Sequence, residues 1–313
     1  MKSTLITLTL AAILSVAAPI CAKPAPKTGP HLTAQASALF LAAYQGNTAK
    51  VKALLAGGLS PNQYGPHTET PLMLASTMNH PDVVKLLLAH GAHVDDKLDT
   101  HGFKGGSTAL TFASMGMLNI LAGAAAPPDP AESAANPAIF ARKHPDAIRR
   151  YSARLKQWES GYDATVRMLV TAGANVNVMS NGKDTPIENA AGSMDPALVI
   201  YLLARGARLD IPVRDRDQDS STGFKALVGA TSPASKNATI VKLLLRHKAS
   251  PNAERPGGPT PLGNAVNNDD LVIAKLLIDA HADVNYPSLG TRPLARAKSP
   301  RMIALLRSHG AVR

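Results

Sequence analysis

The sequence predicts an all-α solenoid of about seven stacked helix–turn–helix units with projecting hairpin fingers. Two short patterns that recur together predict it: a leucine-rich run ending in Gly-Ala, and a Thr-Pro-Leu triplet that precedes this run. A composition of 45% hydrophobic but only 4% aromatic residues agrees with helices rich in alanine and leucine. The single Cys in 313 residues excludes an internal disulfide framework, a CxxC pair and a Cys-rich zinc site.

The leucine-rich run sets the length of a unit. Its Gly position falls at residues 58, 91, 173, 206, 248, 281 and 310, so three of the six intervals are 33 residues long. The Thr position follows the Gly position by 12 residues in three units and precedes the next Gly position by 21 residues in four units. Because two independent spacings repeat together, the period indicates a repeated structural unit.

Each part of the unit has a physical role. In Thr70-Pro71-Leu72, Thr caps the free amides of a first helix and Pro stands where the helix needs no N–H. A second helix follows with the apolar stripe Val83–Leu88, and Gly91 supplies its left-handed C-cap. The polar stretch between one unit and the next is then expected to form a projecting turn, here called a finger.

This pattern resembles the ankyrin repeat family over residues 36–313, apart from one insertion. The triplet recurs as Thr108-Ala109-Leu110, Thr185-Pro186-Ile187 and Thr260-Pro261-Leu262, with degenerate copies at Lys225-Ala226-Leu227 and Arg292-Pro293-Leu294. The expected units span residues 37–67, 68–104, 105–182, 183–221, 222–257, 258–288 and 289–313. The family's usual His after Thr-Pro-Leu is absent, and its place is taken by Met73, Thr111, Glu188, Val228, Gly263 and Ala295.

The first 22 residues have the three parts of a secretory signal peptide. Lys2 precedes an apolar run from Leu5 to Ile20, and small residues follow it. We expect cleavage near Ala22, which also removes the only Cys, and a linker over residues 23–35. The expected location is the bacterial periplasm or the secreted fraction.

An insertion over residues 117–160 interrupts the third unit and is predicted to contain a helix. Ile148, Tyr151, Leu155 and Trp158 recur at three- and four-residue steps, and Arg149 and Arg150 lie among them. Two interpretations stay open. The apolar stripe packs on the solenoid with the arginines in solvent, or the arm contacts an acidic partner.

Candidate chemistry is confined to one finger. His90, His93, Asp95, Asp96, Asp99 and His101 are clustered there, which leaves a metal-binding or hydrolytic protein using residues 90–101 and the insertion as the alternative class. The chain has no Walker A, HExxH, GxSxG or Rossmann pattern. We therefore predict no enzymatic activity, no catalytic residues, no metal and no cofactor.

The resemblance implies a scaffold that binds another protein through its fingers and concave face. The role is either that of an inhibitor or immunity protein, or that of an accessory to a periplasmic enzyme such as catalase. The basic residues are scattered along the sequence, so we expect no nucleic acid, and we also expect no membrane partner after cleavage and a monomeric state. The candidate partner-binding residues are Tyr44, Gln45, Tyr64, His67, Thr77, Met78, Thr100, His101, Arg149, Arg150, Trp158, Met179, Arg255, Asn267, Asn268 and Tyr286.

Overall fold

A computed structural model describes most of the predicted repeat region. The described residues are 33–65, 68–98, 106–115, 162–180, 184–193, 195–214, 219–232, 237–252 and 258–312. The predicted signal peptide and the whole insertion over residues 117–160 lie outside them. Within these ranges the helices are α1 Ala34–Gln45, α2 Thr48–Ala56, α3 Pro71–Thr77, α4 Pro81–Ala89, α5 Ala109–Ser114, α6 162–171, α7 Pro186–Gly192, α8 Pro196–Ala204, α9 Thr222–Ala230, α10 Ala238–Arg246, α11 Pro261–Asn267, α12 Leu271–Asp279, α13 Pro293–Arg296 and α14 Pro300–Ser308.

The first helices begin as the sequence predicts. The Thr70 hydroxyl accepts a hydrogen bond from the amide of Met73, and Pro71 is the first helical residue. Thr260 caps α11 in the same way through the amide of Gly263. The second helices use a different cap, because an Asn or Asp side chain precedes most of them, as Asn237 does for α10.

The helices form two layers that share one core. First helices pack on neighbouring first helices and second helices on neighbouring second helices, while the two helices of a unit pack on each other. The core takes the same positions from each unit and is fully buried at Leu72, Leu87, Leu110, Leu202 and Leu244. The described residues therefore confirm the predicted repeat solenoid.

The turn after each second helix is left-handed. Gly58, Gly91, Gly173, Gly206 and Gly310 have φ between 84° and 94°, and no atom lies within 4 Å of where a Cβ would stand. Lys248 and His281 occupy the same position with φ of 66° and 67°. Two units thus accept a backbone conformation that costs an L-residue about 1–2 kcal/mol.

An asparagine in the finger ties one unit to the next. The Asn62 side-chain amide donates to the Gly91 carbonyl at 3.0 Å, while its Oδ1 accepts from the amide of His93 at 2.8 Å. Asn177, Asn252 and Asn285 make the corresponding pairs of bonds. In the second unit Asp95 stands at this position and accepts from the amide of Asn175 at 3.0 Å.

In the third unit, a hydrogen bond joins the two helices that the insertion separates in the sequence. The Tyr162 hydroxyl, at the start of α6, donates to the carbonyl of Ser114, the last residue of α5, at 2.6 Å. Asn189 donates to the Ser114 hydroxyl at 3.0 Å and links this point to α7. The described residues that flank the insertion, Ser114 and Tyr162, are therefore in direct contact with each other.

The fifth unit differs from the sequence prediction at its start. Helix α9 begins at Thr222, about one turn before the degenerate triplet at Lys225, because the Ser221 hydroxyl caps the amide of Phe224. The lengthened finger before it forms a two-stranded antiparallel hairpin, β1 Pro212–Arg214 with β2 Asp219–Ser221. This finger therefore has the predicted hairpin form.

The described helices are short. The longest has 12 residues, and none is long and apolar enough to cross a bilayer.

Candidate functional site: the finger face

The finger face is the surface formed by the fingers and by the exposed sides of the first helices. Its fingers precede the first helices, and residues such as Gln45, Thr77 and Asn267 lie at the far ends of these helices. The second helices form the other layer, so this face is separate from their outer surface.

The structure places the candidate partner-binding residues in three groups. Gln45, Tyr64 and Asn267 are exposed. Half-buried positions are held by Tyr44, Thr77, Met78, Met179, Asn268 and Tyr286. Outside the described residues lie His67, Thr100, His101, Arg149, Arg150, Trp158 and Arg255.

Some candidates already have structural roles. The Thr77 hydroxyl donates to the Met73 carbonyl at 2.8 Å within α3. The Asn268 side-chain amide donates to the Thr231 carbonyl at 3.2 Å and joins the fifth and sixth units. These two side chains therefore offer less hydrogen-bonding capacity to a partner than Gln45 and Asn267 do.

Tyr64 is the most prominent aromatic residue of the described fingers. Its side chain is 50% exposed, and its hydroxyl donates to Asp96 Oδ2 of the next finger at 3.0 Å. This hydrogen bond raises the pKa of the Tyr64 hydroxyl, with burial and the charge of Asp96 acting in the same direction. The bond holds an exposed ring in one orientation, which lowers the entropy cost of using it as an interface anchor.

The histidine and aspartate finger does not gather its described side chains into a metal site. His90 Nδ1 lies 2.9 Å from the Leu86 carbonyl, and the Asp95 carboxylate accepts from the Asn175 amide. His93 is exposed, with Nδ1 3.6 Å from Asp96 Oδ2. Among the described residues no group of three or more potential ligands comes together, and Asp99 and His101 lie outside them.

Sequence reasoning named Met78 but missed the rest of an apolar section of the finger face. Leu74 and Met78 of the second unit and Phe112 and Met115 of the third are half-buried on the first-helix layer. In the sixth unit the corresponding position is polar, because Asn267 stands there. The available signal was their spacing from the Thr of each triplet: Leu74 and Phe112 follow it by four residues, Met78 by eight and Met115 by seven. These positions fall between the buried positions of a short helix.

Glu188 is a buried carboxyl group on the same helix layer. Its side chain is 7% exposed, its Oε2 accepts from the Thr185 amide at 2.9 Å, and its buried Oε1 has no hydrogen-bond partner. Burial raises the pKa of Glu188 to about 8, against the lowering effects of Lys225 and of the Thr185 amide, while Asp184 adds a smaller raising effect. Glu188 replaces the family's histidine, and in the structure it is a neutral core residue near pH 7.

A cavity of about 330 Å³ lies at the last unit. It is lined by Leu294, Ala295, Ala297, Ile303 and Arg307. Its lining holds no carboxylate, imidazole or hydroxyl that could act as an acid, base or nucleophile. It lies at the end of the stack, where α13 and α14 complete the last unit.

The fold and this face define a class of protein: a helical repeat solenoid with a long exposed face. Comparison with known proteins then identifies the repeat. A family model described as "Ankyrin repeats (3 copies)" matches residues 21–98 and 39–122. The chain has the ankyrin-repeat solenoid fold.

Solved structures of ankyrin domains have the same fold. The human ASB11 ankyrin repeat domain is 21% identical with a TM-score of 0.58, and the match covers 88% of this chain and 98% of that one. The ankyrin repeat domain of Bcl-3, a unique member of the IkappaB protein family, is 23% identical with a TM-score of 0.54, and the match covers 86% of this chain and 97% of that one. A domain from Acinetobacter baumannii AYE is 21% identical with a TM-score of 0.53, covering 78% and 98%.

A curated relative shares the repeats within a much larger protein. The ankyrin repeat and KH domain-containing protein CBG24701 of Caenorhabditis briggsae is 26% identical over 292 residues. The match covers 82% of this chain and 11% of that protein, so this chain spans about a tenth of its relative's length.

Proposed function

We propose that this protein is a non-enzymatic scaffold that binds another protein through the finger face. The proposal rests on the difference between the buried apolar surfaces of the helices and the exposed surfaces of the fingers. The apolar stripes of both helix layers are buried in stacking, whereas the described fingers present exposed side chains, as do the first-helix ends at Gln45 and Asn267.

The composition of the finger face suits a protein partner. Tyr64 gives a fixed aromatic anchor, Leu74, Met78 and Phe112 give adaptable apolar contact, and Asn267 gives an amide that can both donate and accept. A standard protein interface takes about 800 Å² on each side, and a surface that runs along several units can supply that area without a deep cleft.

The predicted signal peptide supports a periplasmic or secreted location for this scaffold. Two roles fit such a location. The protein inhibits or neutralises a delivered toxin, or it supports a periplasmic enzyme, for which catalase is the example that the family resemblance suggests. Both roles require a protein partner on the finger face, and the identity of the captured partner distinguishes them.

Affinity capture with surface variants tests the proposal. The native chain is compared with a triple variant, Gln45→Ala, Tyr64→Ala and Asn267→Ala, whose sites are exposed and whose loss leaves the core intact. The matched control alters three exposed residues of the second helices, Ala53→Ser, Ala89→Ser and Ala204→Ser.

The expected result is a specific protein, identified by mass spectrometry from a periplasmic extract, that the native chain and the control retain and the triple variant loses. Equal retention by all three forms would contradict binding through the finger face. Stoichiometric metal in the purified native chain, or turnover of a small molecule, would contradict the non-enzymatic assignment.

A further inference from the structure

The basic residues that look scattered along the sequence are aligned in the folded stack. Six residues before each left-handed turn, the second helix carries Lys52, Lys85, Arg167, Lys242 or Lys275. These positions are equivalent in five of the six full units, and equivalent helices of neighbouring units pack side by side. With about 8–10 Å between packed helices, the cations form a row along the outer helix layer.

The lysines of this row are free to meet a partner. Lys52, Lys85, Lys242 and Lys275 are exposed, and within the described part of the chain none of them forms an ion pair. Arg167 is the exception, since its Nε lies 2.7 Å from an Asp163 carboxylate oxygen. The four lysines are referred to below as the lysine row.

The whole outer layer shares this sign of charge. Counted over the second helices and their closing turns, eleven basic residues stand against three acidic ones. The basic residues are Lys50, Lys52, Lys85, Arg167, Arg205, Lys242, Arg246, Lys248, Lys275, Arg301 and Arg307, and the acidic ones are Asp82, Asp163 and Asp279.

The finger face has no such excess. Among its described residues that are not buried, the acidic ones, Asp95, Asp96, Asp184, Asp210 and Asp283, are balanced by basic ones, Lys97, Arg208, Lys225, Arg292, Arg296 and Lys298. An anionic surface is therefore attracted more strongly to the outer helix layer than to the finger face, which favours one orientation of the protein at that surface.

The chemistry of the row favours phosphate groups at a surface over a protein interface. Protein interfaces are enriched in arginine and aromatic residues and depleted in lysine. Around the row the exposed neighbours are small, as at Ala53 and Ala89. The ring of Tyr201 is already in contact with the guanidinium groups of Arg167, 4.3 Å from the ring centroid, and Arg205, 5.0 Å from it. Single-stranded nucleic acids need aromatic rings for stacking, and this layer offers no free one among the described residues.

Two exposed aliphatic side chains on the same layer add shallow apolar contact. Ile200 occupies the row position of the fourth unit and is 54% exposed, and Val272 on α12 is 64% exposed. Lysines combined with a few aliphatic residues are the features with which peripheral proteins bind anionic bilayers.

We propose that the lysine row docks this protein on an anionic phospholipid bilayer, with the finger face turned away and free for a protein partner. This docking goes beyond the proposed function and does not depend on it. It revises the expectation of no membrane partner, because that expectation treated the basic residues as scattered.

Vesicle sedimentation tests the docking. The full chain is mixed with vesicles of phosphatidylcholine alone or of phosphatidylcholine with 30% phosphatidylglycerol, at 20 and 200 mM salt. The measured quantity is the ratio of the two binding constants, because the apolar segment Leu5–Ile20 would add binding to both kinds of vesicle. The row variant replaces Lys52, Lys85, Lys242 and Lys275 by Gln.

The control variant removes the same charge from elsewhere, with Lys97, Arg208, Arg296 and Lys298 changed to Gln. These four residues lie in the fingers and on or beside the first helix of the last unit. Both variants are checked by circular dichroism to have native helix content.

We expect the native chain to prefer the anionic vesicles at low salt and to lose most of this preference at 200 mM. Four lysines at a negative surface should contribute about two to three orders of magnitude in binding, so the row variant loses that preference while the control keeps most of it. Equal losses in the two variants, or no preference for phosphatidylglycerol, would overturn the proposal. Tighter binding of poly-L-glutamate than of the anionic vesicles would also overturn it, in favour of an acidic polypeptide.

Discussion

Replacement of Glu188 by Gln should change how the stability of the protein depends on pH. The carboxyl group is 7% exposed and burial raises its pKa from 4.5 to about 8. The folded chain therefore holds a proton that the unfolded chain has released. The stabilising effect of that proton is complete below pH 4.5 and is lost as the pH rises toward 8.

The size of this effect follows from the interval between the two pKa values. The free energy of unfolding of the native chain falls by about 1.4 kcal/mol per pH unit between the two pKa values. From pH 4.5 to about 8 it therefore falls by about 5 kcal/mol, of which about 3 kcal/mol is lost by pH 7. Gln has the same shape, keeps an oxygen to accept from the Thr185 amide at 2.9 Å, and has no charge to bury. The variant should therefore match the native chain near pH 4.5 and exceed its stability by several kcal/mol at pH 8.

Urea unfolding followed by circular dichroism from pH 4 to pH 9 measures this difference. A second variant, Lys225→Met, should extend the native loss to higher pH, because Lys225 lowers the Glu188 pKa and its removal lets that pKa rise further. A carbon-13 titration of the Glu188 carboxyl gives the pKa directly. Parallel stability curves for native chain and Glu188→Gln, or a carboxyl that titrates near pH 4.5, would refute the reasoning.

Four other substitutions test the contacts and turns that hold the stack. Asp95→Asn supplies the donor present in the other asparagine bridges and should stabilise the protein by about 1 kcal/mol, while Asn177→Asp should destabilise it by a similar amount in urea unfolding. Lys248→Gly relieves a left-handed residue with φ of 66° and should raise the thermal midpoint; an unchanged or lower midpoint would contradict the assigned turn. Tyr162→Phe leaves the buried carbonyl of Ser114 without its hydroxyl donor and should cost about 1–3 kcal/mol, with faster amide hydrogen exchange in α5 and α6.

Local signals predicted the fold because they have local causes. A Thr that caps its own helix at Met73, a Pro at the first helical position and a Gly with φ of 84° at residue 91 act within a few residues of themselves. Repetition then made the stacking evident. The early start of α9 was missed since Ser221 caps it only after the finger hairpin has brought the chain there.

The candidate site was less accessible to sequence reasoning. Exposure determines which candidate residues are accessible, and it depends on neighbouring units. Asn267 is exposed, while the side-chain amide of the adjacent Asn268 donates to the Thr231 carbonyl. The buried state of Glu188 and the alignment of the lysine row arise only when units lie side by side. Several predicted residues, Trp158 among them, lie outside the described residues and stay predictions.

Hydrogen exchange of the chain alone and in complex with its captured protein partner tests the central claim most directly. Binding through the finger face should slow amide exchange in residues 59–65 and 92–98 and at the ends of α3 and α11, and leave the outer helices α4 and α10 unchanged. Slowed exchange confined to α4, α8 and α10, with the fingers unaffected, would contradict it.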